Sequence, residues 1–94
     1  MSRLSSRQLI NSVEIVKLYL TYKNSFNYGY QKYIVWRNMI KYITGINDPK
    51  IIRKIFYHLL NKNQFYKHKK IRSIYYIFNP SNKKIKIINK VIFE

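Results

Sequence analysis

Hydrophobic side chains recur at helical spacing in residues 49–62 and divide that segment into two faces. When the segment is drawn as a helix at about 100° per residue, its large apolar side chains fall within one arc. These side chains are Ile52, Ile55, Phe56 and Leu59. The opposite side carries a polar row at steps of four, three and four residues: Lys50, Lys54, Tyr57 and Asn61. The pattern predicts a helix that packs through one face and presents cations and hydrogen-bonding groups on the other.

Signals at both ends of this segment favour the helix. Asn47 or Asp48 can cap its start, and Pro49 suits the first helical position because the N–H that proline lacks would be unpaired there anyway. Asn63 is a candidate for the left-handed residue after its end, since asparagine tolerates positive φ better than most residues. A cationic helix with a sharp start, just after Gly45, is therefore expected.

Residues 1 to about 24 predict a first helix with two apolar stripes. Ser5 and Gln8 have the spacing of a capping box at its start. The core stripe consists of Leu9, Val13, Val16 and Leu20. A second stripe projects from the other side and consists of Ile15, Leu18 and Tyr22. Because such a stripe needs a cover, two hypotheses stand: the helix is buried on both sides within its own domain, or the second stripe is a homodimer interface.

A second helix is predicted from about Tyr30 to Thr44, after a polar connection that contains Gly29. Its apolar arc consists of Tyr33, Trp36, Met39, Ile40 and Ile43. Its polar side carries Arg37, Lys41 and Thr44 at steps of four and three residues. Gly45 then supplies the left-handed residue that ends the helix.

The chain changes its period towards the C-terminus. From Lys70 to Phe78, and again from Lys84 to Phe93, β-branched and aromatic residues recur with roughly two-residue alternation. Asn79-Pro80-Ser81-Asn82 lies between the two runs and has turn composition. This pattern predicts a β-hairpin with its tip at residues 79–82.

The length and the net charge of the chain limit the functions that it can have. The 94 residues predict one domain, and 19 Lys and Arg against three acidic residues leave a net charge of +16. Such a charge repels itself unless a polyanion is near, and binding to a phosphate backbone would be strongly salt-dependent. Nucleic acid is therefore the predicted partner, with an anionic membrane surface as the alternative polyanion. Abundant Ile, Lys, Asn, Tyr and Phe without alanine are typical of AT-rich codons, which inflate the lysine count and indicate a virus, plasmid, organelle or parasite.

Several classes of site lack the residues they need. The chain has no cysteine, and His58 and His68 are its only histidines, so no metal site and no cofactor are expected. No phosphate-binding glycine loop or Ser/His/acid set is suggested by spacing, so an enzyme and a small-molecule substrate are not expected. The start is unlike a signal peptide and no apolar run approaches a membrane span, which predicts a soluble intracellular protein.

The order of the predicted elements resembles that of winged helix-turn-helix domains. Helix, helix, glycine-containing turn, helix and a hairpin with a basic tip follow one another, and the stretch from Pro49 to Tyr66 looks like the recognition helix of that family and the turn into its first wing strand. Asn63 stands where the family usually has glycine. The resemblance is one of pattern over about residues 30–94. It implies an α+β, mainly α fold of three helices followed by a two-stranded β-hairpin wing, with residues 1–24 as a leading helix.

The resemblance also implies which residues meet DNA, since in such domains the third helix enters the major groove, the second crosses the phosphates and the wing reaches a neighbouring groove or the backbone. On the recognition helix these are Lys50, Arg53, Lys54, Tyr57 and Asn61. The expected phosphate contacts are Arg37, Lys41 and Thr44, together with the start of the third helix. The expected wing contacts are Asn82, Lys83, Lys84 and Lys86.

The sequence thus predicts a small basic protein that binds double-stranded DNA, as a transcriptional regulator or genome-binding factor of an AT-rich virus, plasmid or similar replicon. Two alternatives stay open. One is an RNA-binding component of a ribonucleoprotein. The other is a protein-interaction subunit that uses the same fold without nucleic acid.

Overall fold

The computed structural model describes residues 5–81, which form three helices and a three-stranded antiparallel sheet. The elements are α1 (Ser6–Tyr22), a 3₁₀ turn (Ser25–Tyr28), β1 (Gln31–Lys32), α2 (Tyr33–Thr44), α3 (Pro49–Asn61), β2 (Phe65–Lys70) and β3 (Ser73–Phe78). The strand order is β1-β3-β2. The predicted α+β, mainly helical class is confirmed at this level.

Helix α1 starts as its sequence predicts. The Ser5 hydroxyl accepts a hydrogen bond from the Gln8 N–H at 3.2 Å, and the Gln8 side chain accepts one from the Ser5 N–H at 2.9 Å. This capping box satisfies two N–H groups that a helix start otherwise leaves unpaired. Val13, Val16 and Leu20 are buried and Leu9 packs against them, so the predicted core stripe is confirmed.

Helix α2 begins three residues later than expected, and the prediction of helix from Tyr30 is wrong there. Gln31 and Lys32 instead form β1, which pairs with Tyr76 and Tyr75 of β3. A strand of two residues has no periodicity of its own, and its hydrogen bonds lie with a strand more than 40 residues away. Nothing local in the sequence therefore marks it.

Local signals do set both ends of the α2–α3 turn. Gly45 adopts φ 73°, and its N–H donates to the Lys41 carbonyl at 2.8 Å. Of the two candidate caps, Asp48 is the one used: its carboxylate accepts from the Lys50 N–H at 2.9 Å. Helix α3 then runs from Pro49 to Asn61, and Asn63 takes φ 61° just beyond its end, as predicted.

The hairpin lies earlier in the chain than the sequence pattern indicated. Its strands pair from Phe65↔Phe78 to Lys70↔Ser73, so the turn consists of Ile71 and Arg72. The prediction of a first strand at residues 70–78 with a tip at 79–82 is therefore wrong: residues 73–78 form the returning strand. The physical reason is packing, because burying both Phe65 and Phe78 against the helices fixes the register. The run predicted from Lys84 to Phe93 lies outside the described residues.

An aromatic core joins the sheet to α2 and α3. The Trp36 ring lies 4.9 Å from the Phe65 ring, and the Phe56 ring lies 4.7 Å from Phe65 and 4.8 Å from Tyr76, measured between centroids. The Trp36 Nε1–H donates to the Tyr76 carbonyl at 2.9 Å, which satisfies a fully buried indole. Because one core holds α3 and the hairpin, their surfaces keep a fixed relation to each other.

Candidate nucleic-acid interface

The outer face of α3 carries the row of side chains that the sequence singled out, which we call the α3 ridge. Its members are Lys50, Arg53, Lys54, Tyr57 and Asn61, and all of them are exposed. The opposite face is buried through Ile52, Ile55, Phe56 and Leu59. At about 100° per residue the ridge spans about 100° of the helix circumference, close to the width of one helix face. The α3 ridge is thus a continuous polar strip that no described part of the chain covers.

Asp48 limits what the start of α3 can bind. Helix N-termini attract anions through free N–H groups, but the Lys50 N–H is occupied by the Asp48 carboxylate at 2.9 Å. Asp48 is also half-buried and adds a negative charge at this end of the ridge. The anion site expected from the helix start alone is therefore weakened, and attraction for phosphate comes from the lysine and arginine side chains.

The three residues predicted to contact phosphate from α2 differ in their availability. Lys41 is exposed, whereas Arg37 is half-buried and its Nη2 lies 3.5 Å from the Asn38 Oδ1. The Thr44 hydroxyl donates to the Ile40 carbonyl at 2.8 Å and accepts from the Ile46 N–H at 3.1 Å. Thr44 therefore holds the α2–α3 turn, and Lys41 is the most accessible of the three.

The outer half of the hairpin carries cations that sequence reasoning missed. They are Lys67, Lys69, Lys70 and Arg72, and all are exposed. Residues at alternate positions of a strand share a face, so Lys67 and Lys69 lie on the same side of the sheet as Phe65, which packs on Phe56 of α3. These lysines thus stand on the α3 side of the hairpin.

One signal in the sequence marked where this strand begins. Asn63 follows the end of α3 in the left-handed region, as the sequence predicts, and a strand that starts at Phe65 is the direct continuation. The run Phe-Tyr-Lys-His-Lys-Lys shows no clear alternation of apolar and polar residues, which hid the strand. The predicted wing contacts Asn82, Lys83, Lys84 and Lys86 lie outside the described residues.

The second stripe of α1 lies on the surface. Ile15, Leu18 and Tyr22 are 54%, 67% and 80% exposed, so the hypothesis that α1 is buried on both sides is wrong for the part of the chain that the structure describes. The hypothesis of a homodimer interface there stays a prediction. The stripe is the main apolar surface that α1 offers to a partner.

Two tyrosines near the interface have perturbed acidities. Burial raises the pKa of Tyr76 above the ordinary 10.0, and the phenols of Tyr57 and Tyr33 add to the effect. Burial also raises the pKa of Tyr30, whose ring lies 5.6 Å from that of His68. A phenol whose pKa is 10.0 or higher is neutral around pH 7, so neither tyrosine adds negative charge to the surface.

No group of three or more His, Cys, Asp or Glu side chains that could hold a metal ion occurs within residues 5–81. None of the helices described is long and apolar enough to cross a bilayer. Compared with protein-family models, curated proteins and solved structures, the chain gives no significant match to any of them.

Proposed function

We propose that the protein is a small winged-helix protein that binds double-stranded DNA through the α3 ridge and the basic hairpin, as a regulator or genome-binding factor of an AT-rich replicon. One observation carries the proposal. All five side chains of the ridge are exposed on a helix whose other face is buried, beside a hairpin whose outer half presents four further cations. A net charge of +16 supplies the long-range attraction to phosphate.

The order of elements supports the winged-helix assignment. Three helices, of which the last two flank a tight glycine-containing turn, are followed by an antiparallel hairpin. Helix α3 is the element with the most clearly divided faces, which suits a helix that packs and recognises at the same time. The hairpin then takes the place of the wing, with Ile71 and Arg72 at its tip.

The chemistry of the ridge suits the major groove. Arg53 presents a guanidinium that can donate two hydrogen bonds to a guanine edge, and Asn61 can donate to and accept from an adenine edge. Lys50 and Lys54 are compact charges suited to phosphate oxygens. B-form DNA admits a helix in its major groove, whereas the major groove of A-form RNA is too narrow for one, so this geometry favours duplex DNA.

Fluorescence anisotropy tests the proposal directly. A labelled duplex DNA bound to the full chain is competed, at one fixed salt concentration, with unlabelled duplex DNA or with a structured RNA hairpin. We expect the DNA to compete more strongly and an Arg53→Gln, Asn61→Ala variant to lose discrimination between duplex sequences. Stronger competition by the RNA would support a ribonucleoprotein component instead. No binding to either would point to the protein-interaction alternative.

We also propose that α1 pairs two copies of the chain through Ile15, Leu18 and Tyr22. These three side chains form one stripe and are more than half exposed. A symmetric pair would place two α3 ridges for two half-sites of a DNA duplex. Light scattering of the wild type and of an Ile15→Glu, Leu18→Glu variant tests this pairing. We expect the wild type to be a dimer and the variant to be a monomer. A monomeric wild type would contradict the proposal.

A further inference from the structure

The tip of the hairpin exposes an aliphatic side chain to water. Ile71 is 86% exposed, more than any other large hydrophobic side chain of residues 5–81. It occupies the two-residue turn between Lys70 and Ser73. The strands that carry it extend about 17 Å from the buried Phe65 and Phe78 pair, at about 3.4 Å per residue. Ile71 therefore lies as far from the core as the hairpin reaches.

The backbone of Ile71 is unfavourable for its residue type. Its φ is 48°, in the left-handed region where a β-branched side chain is strained and where hairpin turns usually have Gly, Asn or Asp. The four other described residues with positive φ are Asn24, Gly29, Gly45 and Asn63. Every described position with positive φ other than Ile71 is thus occupied by Asn or Gly, the residues that tolerate this backbone best. A strained, exposed isoleucine at the tip indicates a demand on the side chain itself.

The residues around Ile71 indicate which kind of partner it can contact. Lys69, Lys70 and Arg72 are exposed next to it, and Lys69 lies on the α3 side of the sheet. A narrow minor groove has a strong negative potential that attracts lysine and arginine. Proteins that bind the minor groove frequently insert aliphatic side chains between base pairs, which unstacks one step and kinks the duplex. An aliphatic tip flanked by three exposed cations matches both requirements.

We propose that Ile71 inserts as a wedge into the minor groove and bends the duplex at one base step. This inference rests on the proposed DNA binding, since it assigns the second contact of the same interface. Arg72 and Lys69 would hold the adjacent phosphates while the α3 ridge occupies the neighbouring major groove. Flexible pyrimidine–purine steps such as TA are the sequences that unstack most easily, so they are the expected position of the wedge.

The test measures bending and unstacking with the full chain. A duplex labelled at both ends reports bending by energy transfer, and 2-aminopurine at a central TA step brightens when that step unstacks. Ile71→Gly and Ile71→Asn remove the wedge with residues that tolerate the left-handed backbone. Ile74→Thr is the matched control, because Ile74 is a partly exposed β-branched residue of the same hairpin that does not lie at the tip.

We expect the wild type and Ile74→Thr to bend the duplex and brighten the probe. Ile71→Gly and Ile71→Asn should leave the duplex straight and bind it about tenfold more weakly, with melting temperatures no lower than the wild type because the strain is relieved. Equal bending by wild type and Ile71→Gly would overturn the wedge while leaving DNA binding intact. No binding of any duplex by the wild type would overturn both proposals.

Binding to vesicles that contain anionic lipid is the last measurement of the test, because an aliphatic residue among cations also suits a membrane surface. Binding to these vesicles that depends on Ile71, without any bending of DNA, would overturn the wedge in favour of a lipid contact. If bending of DNA depends on Ile71 but binding to vesicles does not, the wedge is supported.

Discussion

If the α3 ridge binds DNA as proposed, the salt dependence of that binding follows quantitatively from its exposed cations. Each lysine that neutralises a phosphate releases condensed counterions, which contributes about 0.9 to the slope of log K against log salt. Lys50 and Lys54 are both exposed, so a Lys50→Gln, Lys54→Gln variant should lower the magnitude of that slope by about 1.8. Between about 50 and 200 mM salt the variant should then lose about 12-fold less affinity than the wild type.

The assay is a titration of a labelled duplex at four or five salt concentrations, read by anisotropy. Lys17→Gln, Lys23→Gln is the control, since it removes two positive charges from outside α3: Lys17 lies in α1 and Lys23 is the residue that follows α1. If Lys50 and Lys54 contact phosphate, only the α3 variant changes the slope by the predicted amount. Equal changes in both variants would refute the reasoning, because they would show that net charge and not the ridge determines binding.

Three further predictions concern the parts that support the site. Gly45→Ala should lower the free energy of unfolding by about 1 kcal/mol in urea titrations. The cost comes from the backbone, because φ is 73° at this position, and not from a clash, because no atom lies within 4 Å of the added methyl group. An unchanged free energy of unfolding would mean that the turn readjusts. Asp48→Asn keeps a helix cap but removes the negative charge beside the α3 ridge, so DNA affinity should rise several-fold while the free energy of unfolding falls by less than about 1 kcal/mol. Glu14→Gln on α1 is the control and should leave the DNA affinity unchanged. Burial raises the pKa of Tyr76 in the folded state above its ordinary 10.0, so the stability that comes from burying the neutral phenol is complete below about pH 10 and is lost as the pH rises through the folded-state pKa. Between about pH 9 and 11, the urea midpoint of Tyr76→Phe should therefore fall less than that of the wild type. Parallel curves for the two proteins would contradict the assignment.

Features encoded over a few residues were predictable from the sequence. The capping box of Ser5 and Gln8, the left-handed Gly45 and the exposed face of α3 all depend on spacings of three or four residues. The α3 ridge could therefore be identified before its surroundings were known. Asn63 at positive φ belongs to the same group.

Features that depend on distant pairing were not predictable in the same way. Strand β1 exists because Gln31 and Lys32 meet β3, and the register of the hairpin follows from burying Phe65 and Phe78 together. Turn propensity at Asn79 and Pro80 indicated a tip there, and core packing outweighed it by placing the tip at Ile71. The cations of the hairpin were missed for the same reason.

Chemical-shift mapping tests the central claim most directly. The uniformly ¹⁵N-labelled chain is titrated with a short duplex DNA and its backbone amides are followed residue by residue. We predict the largest changes at residues 50–61 of α3 and at residues 67–72 of the hairpin, with the exposed stripe of α1 little affected. Changes confined to α1, or a duplex that leaves α3 unperturbed, would contradict the assignment of this surface as the DNA interface.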